Sequence, residues 1–200
     1  MPRTKAKSAR NLSFHDQVLV SALHLFSSAG YFNTSIHDIQ RAADVSMGSI
    51  YNYFAGKEAI AKALYHKLLD QMESVVDHAT ESHDSAYAQG KEMVSAMFEM
   101  TETDPEMIGF ILNARHREFL TDEPAICSSK PFVKLRDIVI QGMKNGEIRD
   151  MEPWLAASLV FGPALRMIVL RLDGMIEKPL PESLDELWEL TWGGIKATTP

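Results

Sequence analysis

Apolar residues recur along this chain at intervals of three and four, the repeat of one face of an α-helix. Phe14, Val18, Ala22 and Leu25 make a first stripe, closed by Gly30. A short segment from Ser35 to Ala43 carries Ile36, Ile39 and Ala43 on one side, and a second, Met47 to Phe54, carries Ile50 and Phe54. After Gly56 a long pattern opens at Lys57, with Ile60, Leu64, Leu68 and Met72 each four apart. The same periodicity predicts helices over 85–100, 105–120, 131–144, 152–172 and 182–196. They are separated by breaks at Asp104-Pro105, Glu123-Pro124, Asn145-Gly146 and Lys178 to Pro181. No stretch alternates with the period of a strand and no internal repeat is visible, so the predicted fold is all-α.

The chemistry concentrates between Thr34 and Lys57, TSIHDIQRAADVSMGSIYNYFAGK. Ser35 is placed to cap one short helix, with Asp38 three residues on, and Ser46 to cap the next. Helices this short are marginal alone. Ile36, Ile39, Val45, Ile50 and Phe54 offer them a shared core with the preceding helix. Two short helices joined at Asp44-Val45-Ser46 give the geometry that lays a second helix in the DNA major groove. With Ile50 and Phe54 inward, Met47, Gly48, Ser49, Tyr51, Asn52 and Tyr53 face outward. Small residues there let the backbone approach closely, and hydroxyls and an amide suit phosphates and base edges. Lys57, opening the next helix, is expected to meet a phosphate.

Charge supports this partition. The whole chain is at −7, but residues 1–62 hold seven Lys/Arg against four Asp/Glu, a net +3, and the remainder is at −10. A basic head suits a polyanion and an acidic body a different task. The segment PRTKAKSARN reads either as a solubilising end or as an arm along the DNA backbone or in the minor groove. One cysteine, Cys127, excludes an internal disulfide framework. No secretory signal is present, and the apolar run from Pro153 to Leu165 stops at Arg166, too short to span a bilayer. A cytoplasmic location with no membrane partner is the expectation.

The stretch Thr34-Ser35, Ile39, Ala43-Asp44-Val45-Ser46, Tyr51-Asn52-Tyr53-Phe54 and Lys57 resembles the N-terminal domain of the TetR (tetracycline-repressor-like) family of bacterial transcription regulators. The motif covers about a quarter of the chain. Asp44 stands where the family usually has a turn glycine, and Gln40 where it has alanine, a change that lets a longer polar side chain reach solvent or DNA. The resemblance implies a helix-turn-helix DNA-binding domain over residues 1–56 and a helical effector-binding and dimerisation domain over 57–200. It also implies DNA contact by Ser35, His37, Ser46, Met47, Gly48, Ser49, Tyr51, Asn52, Tyr53 and Lys57, with Met47 and Gly48 helping to set the operator sequence.

In the body, nine of the eleven methionines lie beyond residue 63, as core filling or the lining of an adaptable apolar pocket. Asn113, His116 and Arg117 fall three and four apart on a predicted helix, either as a solvated face or as polar groups holding an effector. With Met97, Phe110, Trp154 and Phe161 they are the candidate effector pocket. Two late stripes, one with Ala157, Ala164 and Ile168 and one with Leu187, Trp188 and Thr191, are the candidate homodimer interface. His78, His83 and His116 show no metal-ligand spacing, and no HExxH, GxSxG or P-loop motif occurs. No metal, cofactor or catalytic residue is expected. The function implied is a ligand-responsive regulator: a homodimeric repressor on a near-palindromic operator, released by a small molecule. An activator of the same fold, or an interaction module that does not read DNA, is the alternative.

Overall fold

The computed structural model describes residues 12–113 and 116–197. Among these residues the chain forms nine α-helices. They are α1 (Phe14–Ala29), α2 (Ile36–Ala43), α3 (Met47–Tyr53), α4 (Lys57–Ser82), α5 (Ala86–Thr103), α6 (Pro105–Asn113), α7 (Lys130–Lys144), α8 (Pro153–Leu172) and α9 (Leu184–Ile195). The single β-type pairing among them is an isolated bridge between Ile148 and Lys196. The fold is all-α, as the periodicity requires. The basic segment at residues 1–11 lies outside the described residues.

Helix ends have local causes. Ser13 caps α1 by accepting the Asp16 N–H at 3.1 Å, and Gly30 leaves it at φ 85°, a backbone conformation that L side chains rarely adopt. Ser35 and Asp38 form a reciprocal capping box on α2. Asp44 ends α2 at φ 52° and ψ 48°, the left-handed conformation that aspartate tolerates better than most residues, so the turn survives without the glycine. The Glu152 carboxylate accepts the Leu155 N–H at 2.7 Å to cap α8, and Pro153 sits in its first turn, where no N–H is missed.

The chain divides into two compact units, each built from two pieces. The first runs to Leu68 and includes Phe110–Glu123; the second holds Leu69–Gly109 and everything from Pro124. The compact unit around the helix-turn-helix therefore extends past residue 56 into α4 and takes in a later segment. Its core is Val18, Leu19, Ala22, Ile39, Ala43, Ile50, Phe54, Ile60 and Leu64, all buried. Burial of each of the larger side chains contributes roughly 1.5–3 kcal/mol, which holds helices too short to stand alone.

In the second unit α8 packs on α5, α7 and α9. Trp188 of α9 is fully buried against a recess at Gly90 of α5, where an added Cβ would lie 2.5 Å from the indole. Arg171 forks onto Glu102 through Nε at 2.9 Å and Nη2 at 2.7 Å, holding that carboxyl below its ordinary range. The apolar stretch of α8 proves longer than expected, because Met167 to Leu172 continue it beyond Arg166. By length and composition alone the helix is sufficient to cross a membrane. Here its Ala156, Val160, Phe161, Ala164 and Ile168 side is buried in the unit's own core.

Within the expected helix over 105–120, α6 covers Pro105–Asn113 and residues 116–118 form a 3-10 turn, wound more tightly than an α-helix.

Candidate nucleic-acid interface

The recognition helix α3 is anchored by two side chains and exposes the others. Ile50 and Phe54 are buried, whereas Tyr51 and Tyr53 are 57% and 64% exposed and Asn52 is exposed beside them. Ser46 starts the helix by accepting the Ser49 N–H at 3.0 Å, and the two hydroxyls lie 2.7 Å apart. Gly48 has open space where a Cβ would meet only the Ser46 hydroxyl, at 4.0 Å. The helix is buttressed from α1: the rings of Phe14 and Tyr53 are 4.8 Å apart, and those of His15 and Phe54 5.0 Å. The outward tyrosine at 53 is thus oriented from behind and still presents its edge.

The approach to α3 is held by side chains bonded to backbone. Gln17 donates to the Ala43 carbonyl at 2.7 Å, tying α1 to the end of α2. Gln40 donates to the Val45 carbonyl at 2.5 Å, so its extra length closes the turn and does not extend toward solvent or DNA. In the α2 box, Ser35 N–H and Oγ both donate to Asp38 Oδ2, at 2.9 and 2.6 Å, and Arg41 pairs with the other carboxylate oxygen. The Ser35 bonds first, and Arg41 after them, hold the Asp38 carboxyl down to about 2. His37 stands exposed on the same helix.

Lys57 makes its contacts within the protein. Its ammonium donates to the carbonyls of Thr34, at 2.8 Å, and Tyr31, at 2.9 Å, and sits 4.0 Å from the centre of the Tyr31 ring. Burial pushes its pKa down. Two of its three donors are engaged inside the protein, so the side chain clamps the α1–α2 loop. Thr34 completes the clamp from a buried position, donating to the Gly30 carbonyl at 2.9 Å. Neither the Thr34 lock nor the Gln17 and Gln40 bonds has a sequence signature, because each partner is a backbone carbonyl.

Of the candidate effector residues, His116 and Phe110 are buried in the first unit, and Met97 and Phe161 in the second. The His116 ring lies 4.7 Å from Tyr65, 4.9 Å from Phe110 and 5.7 Å from Phe119. Its Nδ1 is buried without a hydrogen-bond partner, and burial lowers its pKa. Arg117 is exposed, so the structure does not bring it to His116. Asn113 is the last residue of α6. Trp154 is half-exposed, with the Arg136 guanidinium 5.0 Å from its ring centre.

The residues of the expected dimer stripe divide into two groups. Ala164, Ile168 and Trp188 are at most 1% exposed and belong to the core of the second unit; Ala157, Leu187 and Thr191 are half-buried. α8 is apolar on more than one side, so spacing alone cannot say which side the monomer keeps. The side left outward carries Leu155, Leu159, Gly162 and Arg166, and on α9 Leu190 and Gly193. No group of His, Cys, Asp or Glu able to hold a metal ion occurs among the described residues.

A capped helix-turn-helix with an exposed Tyr-Asn-Tyr edge is the architecture of a DNA-binding regulator. Residues 18–64 match the family described as bacterial regulatory proteins, tetR family. The chain is 38% identical over 65 residues to the HTH-type transcriptional regulator HbdR of Aromatoleum sp. (strain CIB), a match covering 32% of this chain and 28% of that protein. A longer match, 24% over 149 residues, joins 73% of this chain to 77% of the fatty acid metabolism regulator protein of Bacillus subtilis. In fold, the chain is similar to the crystal structure of the transcriptional regulator FadR from Bacillus subtilis in complex with stearoyl-CoA. The TM-score is 0.79 at 21% identity, covering 90% of this chain and 99% of that one. These relatives are regulators and not enzymes.

Proposed function

We propose that the chain is a cytoplasmic, homodimeric repressor that reads a near-palindromic operator through α3 and is released by a small amphipathic effector. The observation that carries this reading is the division of α3 between buried Ile50 and Phe54 and exposed Tyr51, Asn52 and Tyr53. A single seven-residue helix reads too few base pairs for useful specificity, so two copies about 34–36 Å apart, one helical turn of DNA, are required. The outward α8 and α9 positions Leu155, Leu159 and Leu190, with open space at Gly162 and Gly193, suit a symmetric four-helix contact.

Two observations support an effector with a long apolar chain. The second unit buries Met93, Met97, Phe98 and Phe161, adaptable apolar side chains. The fold relative is a regulator solved with stearoyl-CoA. Such an effector acts only through its differential affinity for two conformers, about 1.4 kcal/mol giving a tenfold change in operator occupancy. Adding stearoyl-CoA to the protein–operator complex tests this: release at micromolar ligand, with no release by free coenzyme A, is expected. Unchanged binding with both would remove acyl thioesters as the effector class.

A further inference from the structure

We propose that His116 is a proton-operated catch on the DNA-binding unit. Neutral, it lets the segment Phe110–Glu123 dock on the head; protonated, it releases that segment and lowers affinity for DNA. The proposal rests on the reading that α3 engages duplex DNA.

The imidazole sits where a proton is hard to accept. His116 is 8% exposed, at the start of the 3-10 turn, among the rings of Tyr65, Phe110 and Phe119. Nε2–H donates to the Ile111 carbonyl at 3.4 Å, and Nδ1 has no partner. A neutral ring needs one donor bond and leaves Nδ1 bare as an acceptor, whereas an imidazolium must place a second N–H and a full charge there. From α4 the titratable side chain in ring contact is Tyr65, and α6 meets the imidazole with Phe110 and the Ile111 carbonyl. On its own segment Arg117 and Glu118 are exposed, and the Glu123 carboxylate is taken by Lys62 at 2.7 Å and His66 at 3.1 Å. Among the described residues no carboxylate acts on His116 as a counter-charge, and burial holds its pKa below the ordinary value. The rings offer an imidazolium some cation–π attraction but no acceptor for Nδ1–H.

The same turn is joined to the helix-turn-helix. The Phe119 and Leu120 N–H groups donate to the His116 carbonyl at 3.2 and 2.7 Å, so the three residues move together. The Phe119 ring stacks on Tyr31 with centres 4.1 Å apart and planes at 14°. Tyr31 supplies both a carbonyl and a ring to Lys57, the clamp on the loop before α2. Phe26 of α1 touches Tyr31 at 5.3 Å and Phe110 at 6.2 Å, closing the cluster. An imidazolium that turns toward water therefore takes Phe119 off Tyr31 and frees one wall of the Lys57 clamp.

The sign follows from the depressed pKa. Docking is fully favoured above the unfolded value, about 6.5, and weakens as pH falls through the folded value, by up to tenfold per pH unit for each protomer. Exposed His37 acts in the opposite sense, because a proton gained beside phosphates tightens binding.

The test compares the full chain with His116→Phe and His116→Gln, neither of which titrates. Each binds a mixed-sequence duplex of about 30 base pairs at about 100 mM salt, from about pH 7.5 to about 5.5. The ratio of wild-type to variant affinity should be flat above about pH 6.5 and fall below it, by up to tenfold per unit for each protomer. Hydrogen-exchange protection factors at Phe119 and Leu120, corrected for intrinsic rate, should fall over the same range in wild type alone. If one substitution unfolds the chain, the other carries the comparison. A ratio that stays constant with pH, or protection lost without any change in affinity, overturns the proposal while leaving DNA binding standing. A wild-type chain that retains no duplex at any of these pH values, even at about 50 mM salt, overturns the DNA reading and this proposal with it.

Discussion

The ammonium of Lys57 donates to the carbonyl of Thr34 at 2.8 Å, joining the start of α4 to the residue before the α2 cap. With the second bond to Tyr31, this fixes the loop from which α2 and α3 are presented. Lys57→Met keeps the apolar stem and removes the donors, leaving two carbonyls without their charged partner. A stability loss of about 1–3 kcal/mol is expected, read by urea denaturation. Tyr51→Ala, on the exposed edge of α3, should leave the midpoint almost unmoved. Equal stability in both variants would mean that the clamp is incidental.

The capping box gives a pH dependence of known sign. Asp38 is held at about 2, below its ordinary value, so its contribution is fully present above about pH 4 and is lost as pH falls through the folded value. From pH 5 to 8 it is constant. The hydrogen-exchange protection factor at the first α2 amides, corrected for the intrinsic rate at each pH, should therefore fall only on acidification below about pH 4. Ser35→Ala should weaken the same amides at neutral pH, at a cost of about 1 kcal/mol.

Asp44 occupies left-handed backbone at the turn. Asp44→Gly should fold at least as stably and, by removing an acid from the head, bind DNA more tightly. Asp44→Val should lose about 1–2 kcal/mol, because a β-branched side chain resists φ 52°. Thermal melts of the two variants should fall on opposite sides of the wild type or nearly so.

The outward α8–α9 positions make a further prediction. Leu159→Glu combined with Leu190→Glu should yield a monomer by light scattering with its helix content intact, since both side chains are solvent-facing within one copy. Trp188→Ala should lose about 3–5 kcal/mol of stability, because the indole is core. A double variant that stays dimeric would place the interface elsewhere.

Much of this was legible in the residues. Caps at Ser35 and Ser46, the left-handed Asp44 and the inward pair Ile50 and Phe54 each follow from local chemistry, and local chemistry is what a sequence displays. The internal bonds of Lys57 were not legible, because a lysine at a helix start suits a phosphate equally well as a buried carbonyl pair, and carbonyls carry no residue code. The α8 stripe misled for a different reason: a helix apolar on two sides does not declare which side its own α5 and α9 will cover. Nor does spacing show that Phe110–Glu123 folds with the head. That association depends on the Phe119–Tyr31 stack and the Glu123 bonds to Lys62 and His66, all distant in sequence.

The most direct measurement is selection of fragmented genomic DNA from the source organism by wild type and by Tyr51→Ala, at about 150 mM salt, followed by sequencing of what each retains. If the exposed edge of α3 reads an operator, wild type enriches a short inverted repeat with half-sites one helical turn apart, and the equally stable variant does not. Uniform retention by both proteins, or the same repeat enriched by the variant, would contradict sequence reading by the exposed face of α3.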